Sequence, residues 1–395
     1  MNPLAFKVLF KRFCQEPPLG WAQLSHQKMR LIVALTGVAF ADILIFTMLG
    51  FQDMLYEGST FVHKHLRADL VLISQRTEAL YTGRPFSRRH LYQANAVDGV
   101  ASADPFYFGG GWWVNPWDKQ GTEVMVLAFD PARPILDLPE VNQQLDQIKL
   151  PNVVLLDRKS QPQLGPVAKT LEQGATVTTE VSGHRIKVGG LFTLGSSIFT
   201  QGHLITSDWN YLRLYGADSL DAVNLGALTL EPNADPATVR QTLEAQLPEE
   251  VKVLTPKEFI QSEITFWTSQ PGGVIFNFGA IMGLVVGIVI VNQVLYSDVN
   301  DHLPEYATLK AMGYSDRSLL GVVFQEAAIL ALLGFVPGYS VSLGMYRLLS
   351  SLTNIPLGMR LAVALQVFTA TVVMCMVSAA IAMRKLRSAD PADVF

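Results

Sequence analysis

Four long apolar stretches constrain the fold of this chain more than any other feature. They cover residues 31–51, 274–296, 318–346 and 361–383 of the 395-residue sequence. A helix needs about 20 mostly apolar residues to cross a bilayer, and in hydrocarbon a helix pairs all of its own backbone N–H and C=O groups. The second and fourth stretches contain no charged residue, so they lack the polar stripe of a soluble core helix. The sequence therefore predicts four transmembrane helices, the third with a break at Pro337-Gly338.

A large acidic segment, residues 53–273, separates the first two stretches. Its net charge is −7, whereas the whole chain carries −4 and only 16% charged residues. An average soluble domain has about 25% charged residues, and nucleic-acid binders are usually basic. These figures exclude a disordered chain and argue against a nucleic-acid partner. They indicate a membrane protein with one soluble domain of considerable size.

The soluble segment is predicted to be an α+β domain. Residues 53–104 and 216–273 each alternate strands with a helix, and residues 105–215 are β-rich and punctuated by Gly and Pro. We expect strands at 100–108 and 111–117, separated by a flexible turn at Gly109-Gly110-Gly111. Ser87 is expected to cap a helix, and Ser182-Gly183 to close a hairpin. The sequence thus predicts two subdomains, one of them inserted into the other.

Basic residues predict the orientation in the membrane. The arm over residues 1–30 and the tail over 384–395 are both rich in Lys and Arg, and such segments favour the cytoplasmic side. Both termini and the loop over residues 297–317 are therefore expected in the cytoplasm, with the large domain outside it. Trp21 and Leu24 lie three residues apart and predict an interfacial elbow helix in the arm; a disordered arm is the alternative.

Several polar side chains lie within the apolar stretches. Asp42 and Glu326 are ionisable, and such groups inside a membrane are costly and often functional. Interhelical hydrogen bonding is the simpler interpretation, and a proton relay or an intramembrane enzyme site is the alternative. Asn292 and Gln293 are expected to bond between helices.

No catalytic or nucleotide-binding motif is present in the sequence. It contains no Gly-Lys-Ser/Thr of a Walker A loop, no Gly-x-Ser-x-Gly, no His-Glu-x-x-His and no Cys-x-x-Cys. His63-Lys64-His65 offers two metal ligands on one strand face, but a solvated pair is the more ordinary interpretation. We expect a protein that is not an enzyme and that has no metal site or cofactor of its own.

The loop between the second and third stretches predicts a short amphipathic helix. Pro304 suits its first turn, and Gly313 suits its C-terminal cap. Tyr306, Leu309 and Met312 are expected to line one face and to dock a partner; a solvated loop is the alternative.

At this loop the sequence resembles the coupling motif of the FtsX-like permeases, the membrane subunits of ABC transporters that include MacB. The residues that match the motif are Glu305, Tyr306, Ala307, Leu309, Lys310, Met312 and Gly313. The order of one span, a large domain and three spans is similar too, and Glu326 lies where the family commonly has an acid. Residues 18–26 and 39–44 resemble the DevC group of cyanobacterial permeases. The resemblance implies a MacB-type (type VII) ABC permease architecture, with a porter domain and an inserted β-rich sabre-like subdomain.

The resemblance also implies partners and a function. A separate, DevA-like ABC ATPase would bind ATP and Mg²⁺ and dock on residues 305–313, because this chain lacks the nucleotide-binding domain that is fused in MacB. A homodimer in the bacterial inner membrane would act with a DevB-like periplasmic adaptor and a TolC-like outer-membrane channel to export a glycolipid-like amphiphile. The alternative is an FtsX-type regulator that switches extracytoplasmic hydrolases and moves no cargo.

Overall fold

The computed structural model describes residues 28–195, 199–312, 316–353 and 357–388. The chain divides into two compact units. The helical unit consists of Met1–Gln52, Ile275–Leu348 and Gly358–Phe395, and the α+β unit consists of Asp53–Val274 and Leu349–Leu357.

Four helices among the described residues are long and apolar enough to cross a membrane. The four are α1 (Lys28–Lys64), α9 (Pro271–Asp301), α11 (Asp316–Thr353) and α12 (Leu361–Ser388). A short helix, α10 (Leu303–Ala311), lies between α9 and α11 in the sequence. The four predicted spans are confirmed, and each helix continues beyond its apolar stretch. The expected break in the third span is wrong, because α11 runs through Pro337 as one helix. Transmembrane helices tolerate proline where neighbouring groups compensate for the lost hydrogen bond.

Helices α1 and α9 pack antiparallel through small residues. A Cβ on Gly283 of α9 would come within 2.9 Å of the Ile45 side chain, so the glycine permits close approach. Towards the other end of this contact, Gln52 donates a hydrogen bond to Asn277 at 2.9 Å. The sequence order of these contacts runs in opposite directions along the two helices, as expected for two successive spans.

Helices α1 and α11 pack parallel to each other. Gly334 lies against Val38, and twelve residues further along α11 the Tyr346 hydroxyl donates to the Phe46 carbonyl oxygen. The contacts therefore advance in the same direction on both helices. The start of α1, the end of α9 and the start of α11 consequently lie at the same end of the helical unit.

The α+β unit is built around one nine-stranded sheet in the order β11-β1-β10-β3-β4-β8-β5-β7-β6, with an additional pairing between β3 and β6. Its strands are β1 (Leu70–Ser74), β3 (Val100–Val114), β4 (Gly121–Phe129), β5 (Val153–Asp157), β6 (Val177–Val181), β7 (His184–Phe192), β8 (His203–Ser207), β10 (Leu225–Leu230) and β11 (Val251–Leu254). Two short strands, β2 (Phe86–Ser87) and β9 (Ala222–Val223), pair separately. The pairing of β3 with β6 closes six strands, from β3 to β6 in the sheet order, into a barrel.

Strand β3 corrects the prediction of two strands with a turn between them. Its 15 residues run from Val100 to Val114, and Gly109-Gly110-Gly111 pair with β4 in regular antiparallel register. The glycines serve close packing: a Cβ on Gly109 would lie 2.8 Å from the Tyr215 ring, and one on Gly111 2.9 Å from Val181. The strand also passes without interruption through the predicted boundary between residues 104 and 105.

Helices surround this sheet. They are α2 (Arg89–Asn95), α3 (Pro139–Asn142), α4 (Leu145–Ile148), α5 (Val167–Glu172), α6 (Asp208–Tyr215), α7 (Pro236–Gln246) and α8 (Pro256–Ser269). Helix α8 begins with a capping box formed by Thr255 and Glu258. The predicted cap by Ser87 is wrong: Arg88 occupies the N-cap of α2, and Ser87 lies in β2. The hairpin at Ser182-Gly183 is confirmed, and both residues have a positive φ.

Candidate functional site

The short helix α10 joins α9 to α11 and presents two different faces. Glu305 and Thr308 are exposed, and so is Met312, the residue directly after the helix, whose amide still donates to the Thr308 carbonyl oxygen at 3.0 Å. Their spacing of three and four residues places all three on one side. The Glu305 side chain is 64% exposed and Met312 is 65% exposed. This side is accessible to another molecule, and an exposed methionine suits an adaptable protein contact.

Tyr306 lies on a different side of α10. It is 2% exposed and belongs to the buried cluster of the helical unit that includes Val299 and Val323. The sequence predicted Tyr306 and Met312 on one docking face, and the structure separates them. Six residues at 100° each place the two positions about 120° apart on the helix, and the large aromatic ring is on the side that the spans cover.

Other predicted coupling residues are described in part. Ala307, Leu309 and Lys310 belong to α10, but their side chains lie outside the described residues, as does Gly313. Trp21 and Leu24 of the predicted elbow helix also lie outside the described residues.

Asp42 is completely buried where α1, α11 and α12 meet. Thr371 of α12 donates a hydrogen bond of 2.6 Å to Asp42 Oδ1. A Cβ on Gly338 of α11 would lie 2.8 Å from the Asp42 Cβ, so the glycine makes room for the acid. The contact with Thr371 agrees with the expected interhelical hydrogen bond.

Glu326 is also completely buried, but it lies far from Asp42. Its carboxyl group faces that of Asp298 near the end of α9. Glu326 precedes Gly338, the neighbour of Asp42, by twelve residues on α11, which corresponds to about 18 Å along a helix. The structure therefore does not bring the two membrane acids together, as an intramembrane acid–base enzyme site would require.

Asn292 and Gln293 differ in their surroundings. Asn292 is half-buried, and its Oδ1 accepts no hydrogen bond from the part of the chain that the structure describes. Gln293 is exposed on α9.

A buried polar cluster in the α+β unit was not predicted. Glu263 of α8 accepts hydrogen bonds from the Leu80 backbone N–H at 2.8 Å and from Trp267 Nε1 at 2.7 Å. His63 Nε2 lies 3.2 Å from the same carboxylate, and both side chains are fully buried. His63 was predicted to be a solvated or metal-binding residue on a strand, whereas the structure places it at the end of α1, packed on Phe259. No sequence signal pairs residues 200 positions apart.

A second buried histidine, His203, lies in strand β8. Burial lowers its pKa to about 3, so the imidazole is neutral at physiological pH. The neighbouring carboxyl group of Asp157 has a pKa raised by burial, an effect that backbone N–H donors from Lys159, Leu194 and Gly195 oppose. Tyr81 shares a hydrogen bond of 3.3 Å with His203 Nε2. These groups hold loops together inside the unit.

No group of three or more His, Cys, Asp or Glu side chains among residues 28–195, 199–312, 316–353 and 357–388 is arranged to hold a metal ion.

Part of the chain that includes α10 is similar in sequence to known permeases. Residues 277–391 match the model of the FtsX-like permease C-terminal family, which covers α10 and its exposed face. Over 116 residues the chain is 26% identical to two uncharacterized ABC transporter permeases of Mycobacterium tuberculosis, from strains CDC 1551 and H37Rv. The match covers 29% of this chain and about a third (32%) of each relative.

Two solved structures align with part of this chain. The periplasmic region of MacB from Actinobacillus actinomycetemcomitans aligns with 52% of this chain and 95% of its own, at 8% identity and a TM-score of 0.34. The extracellular domain of the noncanonic ABC-type transporter YknZ from Gram-positive bacteria aligns with 47% of this chain and 99% of its own, at 12% identity and a TM-score of 0.30.

Proposed function

We propose that this chain is a membrane-spanning permease subunit of an ABC-type exporter, driven by an ATPase on a separate chain. The observation that carries the proposal is the two-sided helix α10. Its Tyr306 side is buried in the helical unit, and its Glu305–Thr308–Met312 side is exposed. This helix lies within the segment that is similar to the FtsX-like permeases.

The docking surface for the ATPase is the exposed side of α10 together with the residue that follows it, and we define this surface as Glu305, Thr308 and Met312. One side of α10 packs against the spans through Tyr306, so a docked partner that moves α10 also moves the spans. Tyr306 is then the anchor rather than the contact residue. ATP and Mg²⁺ are bound by the partner, and this chain does no chemistry.

The larger assembly is proposed from the family resemblance. The exposed end of the helical unit with α10 lies in the cytoplasm of a bacterial inner-membrane protein, as the basic flanking residues favour. The α+β unit is periplasmic, and two copies of the chain work with a DevB-like adaptor and a TolC-like channel, as in the DevC group. Exposed apolar side chains on α9, such as Phe278 and Val289, suit contact with membrane lipid.

An amphiphile is the proposed cargo, of a glycolipid-like kind. A water-filled path for polar cargo would need polar residues lining the spans, and the second and fourth spans carry no charge. The cargo is instead taken up outside the hydrocarbon core and moved by the α+β unit.

Docking is tested by binding. The full chain in lipid nanodiscs is titrated with a candidate ABC ATPase from the same genome that lacks membrane spans. The Met312→Asp variant should weaken binding by at least about tenfold, as expected for a contact at the centre of an interface. Leu150→Asp is the matched control, because Leu150 is 51% exposed but lies in the α+β unit. Equal binding by the wild type and the Met312→Asp variant would sink the docking assignment.

A further inference from the structure

Arg30, at the start of α1, is bound to two acids at the end of α9. Its Nη1 lies 3.5 Å from Asp298 Oδ1, and its Nη2 donates a hydrogen bond to Asp301 Oδ2. The Asp298 side chain is only 3% exposed, whereas those of Arg30 and Asp301 are 26% and 45% exposed. Because a buried carboxylate that loses its cation is strongly destabilised, Arg30 is the cation that α1 supplies to Asp298 of α9.

Asp298 also faces a residue of a third helix. The Glu326 carboxyl group of α11 lies against it and is completely buried. Side chains from α1 and α11 therefore converge on one carboxyl group of α9.

This cluster adjoins the docking helix. Asp301 is the last residue of α9, and α10 begins at Leu303. The amide of His302 donates to the Asp298 carbonyl oxygen at 3.1 Å, and that of Tyr306 donates to the His302 carbonyl oxygen at 3.0 Å. The backbone hydrogen bonds thus continue from Asp298 into α10, and a displacement of α10 acts directly on Asp298.

We propose that Asp298 is a positioning residue that passes the displacement of α10 to α1 through Arg30. This inference rests on the proposed function, because it requires a partner that moves α10. Helix α1 is continuous from Lys28 to Lys64, and its residues 53–64 belong to the α+β unit. A pull on Arg30 therefore acts on the same helix that enters the other unit.

The test uses the full chain in nanodiscs, in complex with the ATPase that binds it. Hydrogen exchange of residues 53–64 is measured by mass spectrometry without nucleotide and after trapping with ATP and vanadate. In the wild type, trapping should change the exchange of this segment. The Arg30→Ala and Asp298→Asn variants should bind the ATPase as the wild type does and show a response at least about fivefold smaller, the lower range of site-to-site coupling.

Two further variants separate transmission from a general loss of structure. Arg30→Lys retains a cation and should retain most of the response. Arg347→Ala removes an exposed arginine from the same unit and should leave the response unchanged. If Arg30→Ala folds poorly, Arg30→Lys and Asp298→Asn still decide the question.

The possible failures are distinguishable. A full nucleotide response in Arg30→Ala and Asp298→Asn, with normal ATPase binding, would overturn the role of Asp298. Loss of ATPase binding in Asp298→Asn would also overturn it, because the cluster would then support docking rather than transmission. No nucleotide response in the wild type, or undiminished ATPase binding by Met312→Asp, would instead defeat the proposed function.

Discussion

Replacing Glu263 by alanine tests the buried cluster that joins α1, α8 and the turn at Leu80. The carboxylate accepts two hydrogen bonds, of 2.8 Å from the Leu80 amide and 2.7 Å from Trp267 Nε1, and lies 3.2 Å from His63 Nε2. A buried donor without an acceptor costs about 1–3 kcal/mol, and Glu263→Ala leaves two such donors, those of Leu80 and Trp267, unpaired, a cost of about 2–6 kcal/mol together. We expect Glu263→Ala to lower the free energy of unfolding of the α+β unit by about 2–6 kcal/mol.

The glutamine variant provides a graded comparison. Glu263→Gln keeps the volume and one acceptor oxygen, so one of the two donors stays paired and the expected loss is about 1–3 kcal/mol. For a unit of about 230 residues, each kcal/mol corresponds to about 2–4 °C in the thermal midpoint. Glu263→Ala should therefore lower the midpoint of this unit by roughly 4–24 °C, and Glu263→Gln by less.

The assay is calorimetry of the full chain in detergent, with hydrogen exchange at residues 76–86 and 256–269 to assign the transition to this cluster. Glu244→Ala is the matched control, since its carboxylate is 47% exposed and pairs with Arg240 at the surface, where such pairs contribute under about 1 kcal/mol. The reasoning is refuted if Glu263→Ala is no more destabilising than Glu263→Gln, or than the control.

Three smaller predictions concern stability. His203 has a pKa of about 3 when folded and about 6.5 when unfolded. The unfolded state therefore binds the extra proton, and stability falls as the pH drops below 6.5, by up to about 1.4 kcal/mol per pH unit. Calorimetry from pH 7.5 to 4 should show a weaker dependence of stability on pH for His203→Gln. Gly338→Ala should destabilise the detergent-solubilised helical unit by about 1–3 kcal/mol because its Cβ would lie 2.8 Å from the Asp42 Cβ. A Cβ on Gly344 of the same helix meets nothing within 4 Å, so Gly344→Ala should not destabilise the unit in this way. Equal effects of the two variants on thermal unfolding would contradict the packing of Gly338 on Asp42. Thr371→Val removes the donor to Asp42 and should cost about 1–2 kcal/mol, while Thr371→Ser should restore stability in the same measurement.

The spans were predictable because their signal is local. Each apolar stretch needs only its own length and composition to indicate a membrane helix, and all four were located. The contacts between the spans were not predictable from the sequence. Arg30 was counted as one of several basic residues near the membrane, and only the packing of α1 against α9 shows that it pairs with Asp298.

The course of the strands in the β-rich part of the chain could not be predicted from local sequence patterns. Three consecutive glycines ordinarily indicate a turn, yet Gly109-Gly110-Gly111 pair with β4 as part of β3, and Tyr215 and Val181 occupy the space beside Gly109 and Gly111. The closure of the barrel between β3 and β6 also depends on contacts far apart in sequence, which local patterns do not encode.

The docking helix α10 was predictable in part. Its existence followed from Pro304 and the spacing of apolar residues, but its orientation did not. Tyr306 and Met312 were equally suitable for a docking face, and the burial of Tyr306 against Val299 and Val323 decided which side is exposed. Periodicity predicts a face, and the neighbouring helices determine what covers it.

The most direct test of a permease driven from another chain is ATP hydrolysis by purified components. The full chain in nanodiscs, a candidate ABC ATPase, and their mixture are measured under the same conditions. We predict no ATP turnover by the chain alone and an altered turnover of the ATPase on addition of the wild-type chain, but not of Met312→Asp. ATP hydrolysis by this chain alone, or an ATPase rate that the wild-type chain does not change, would contradict the claim.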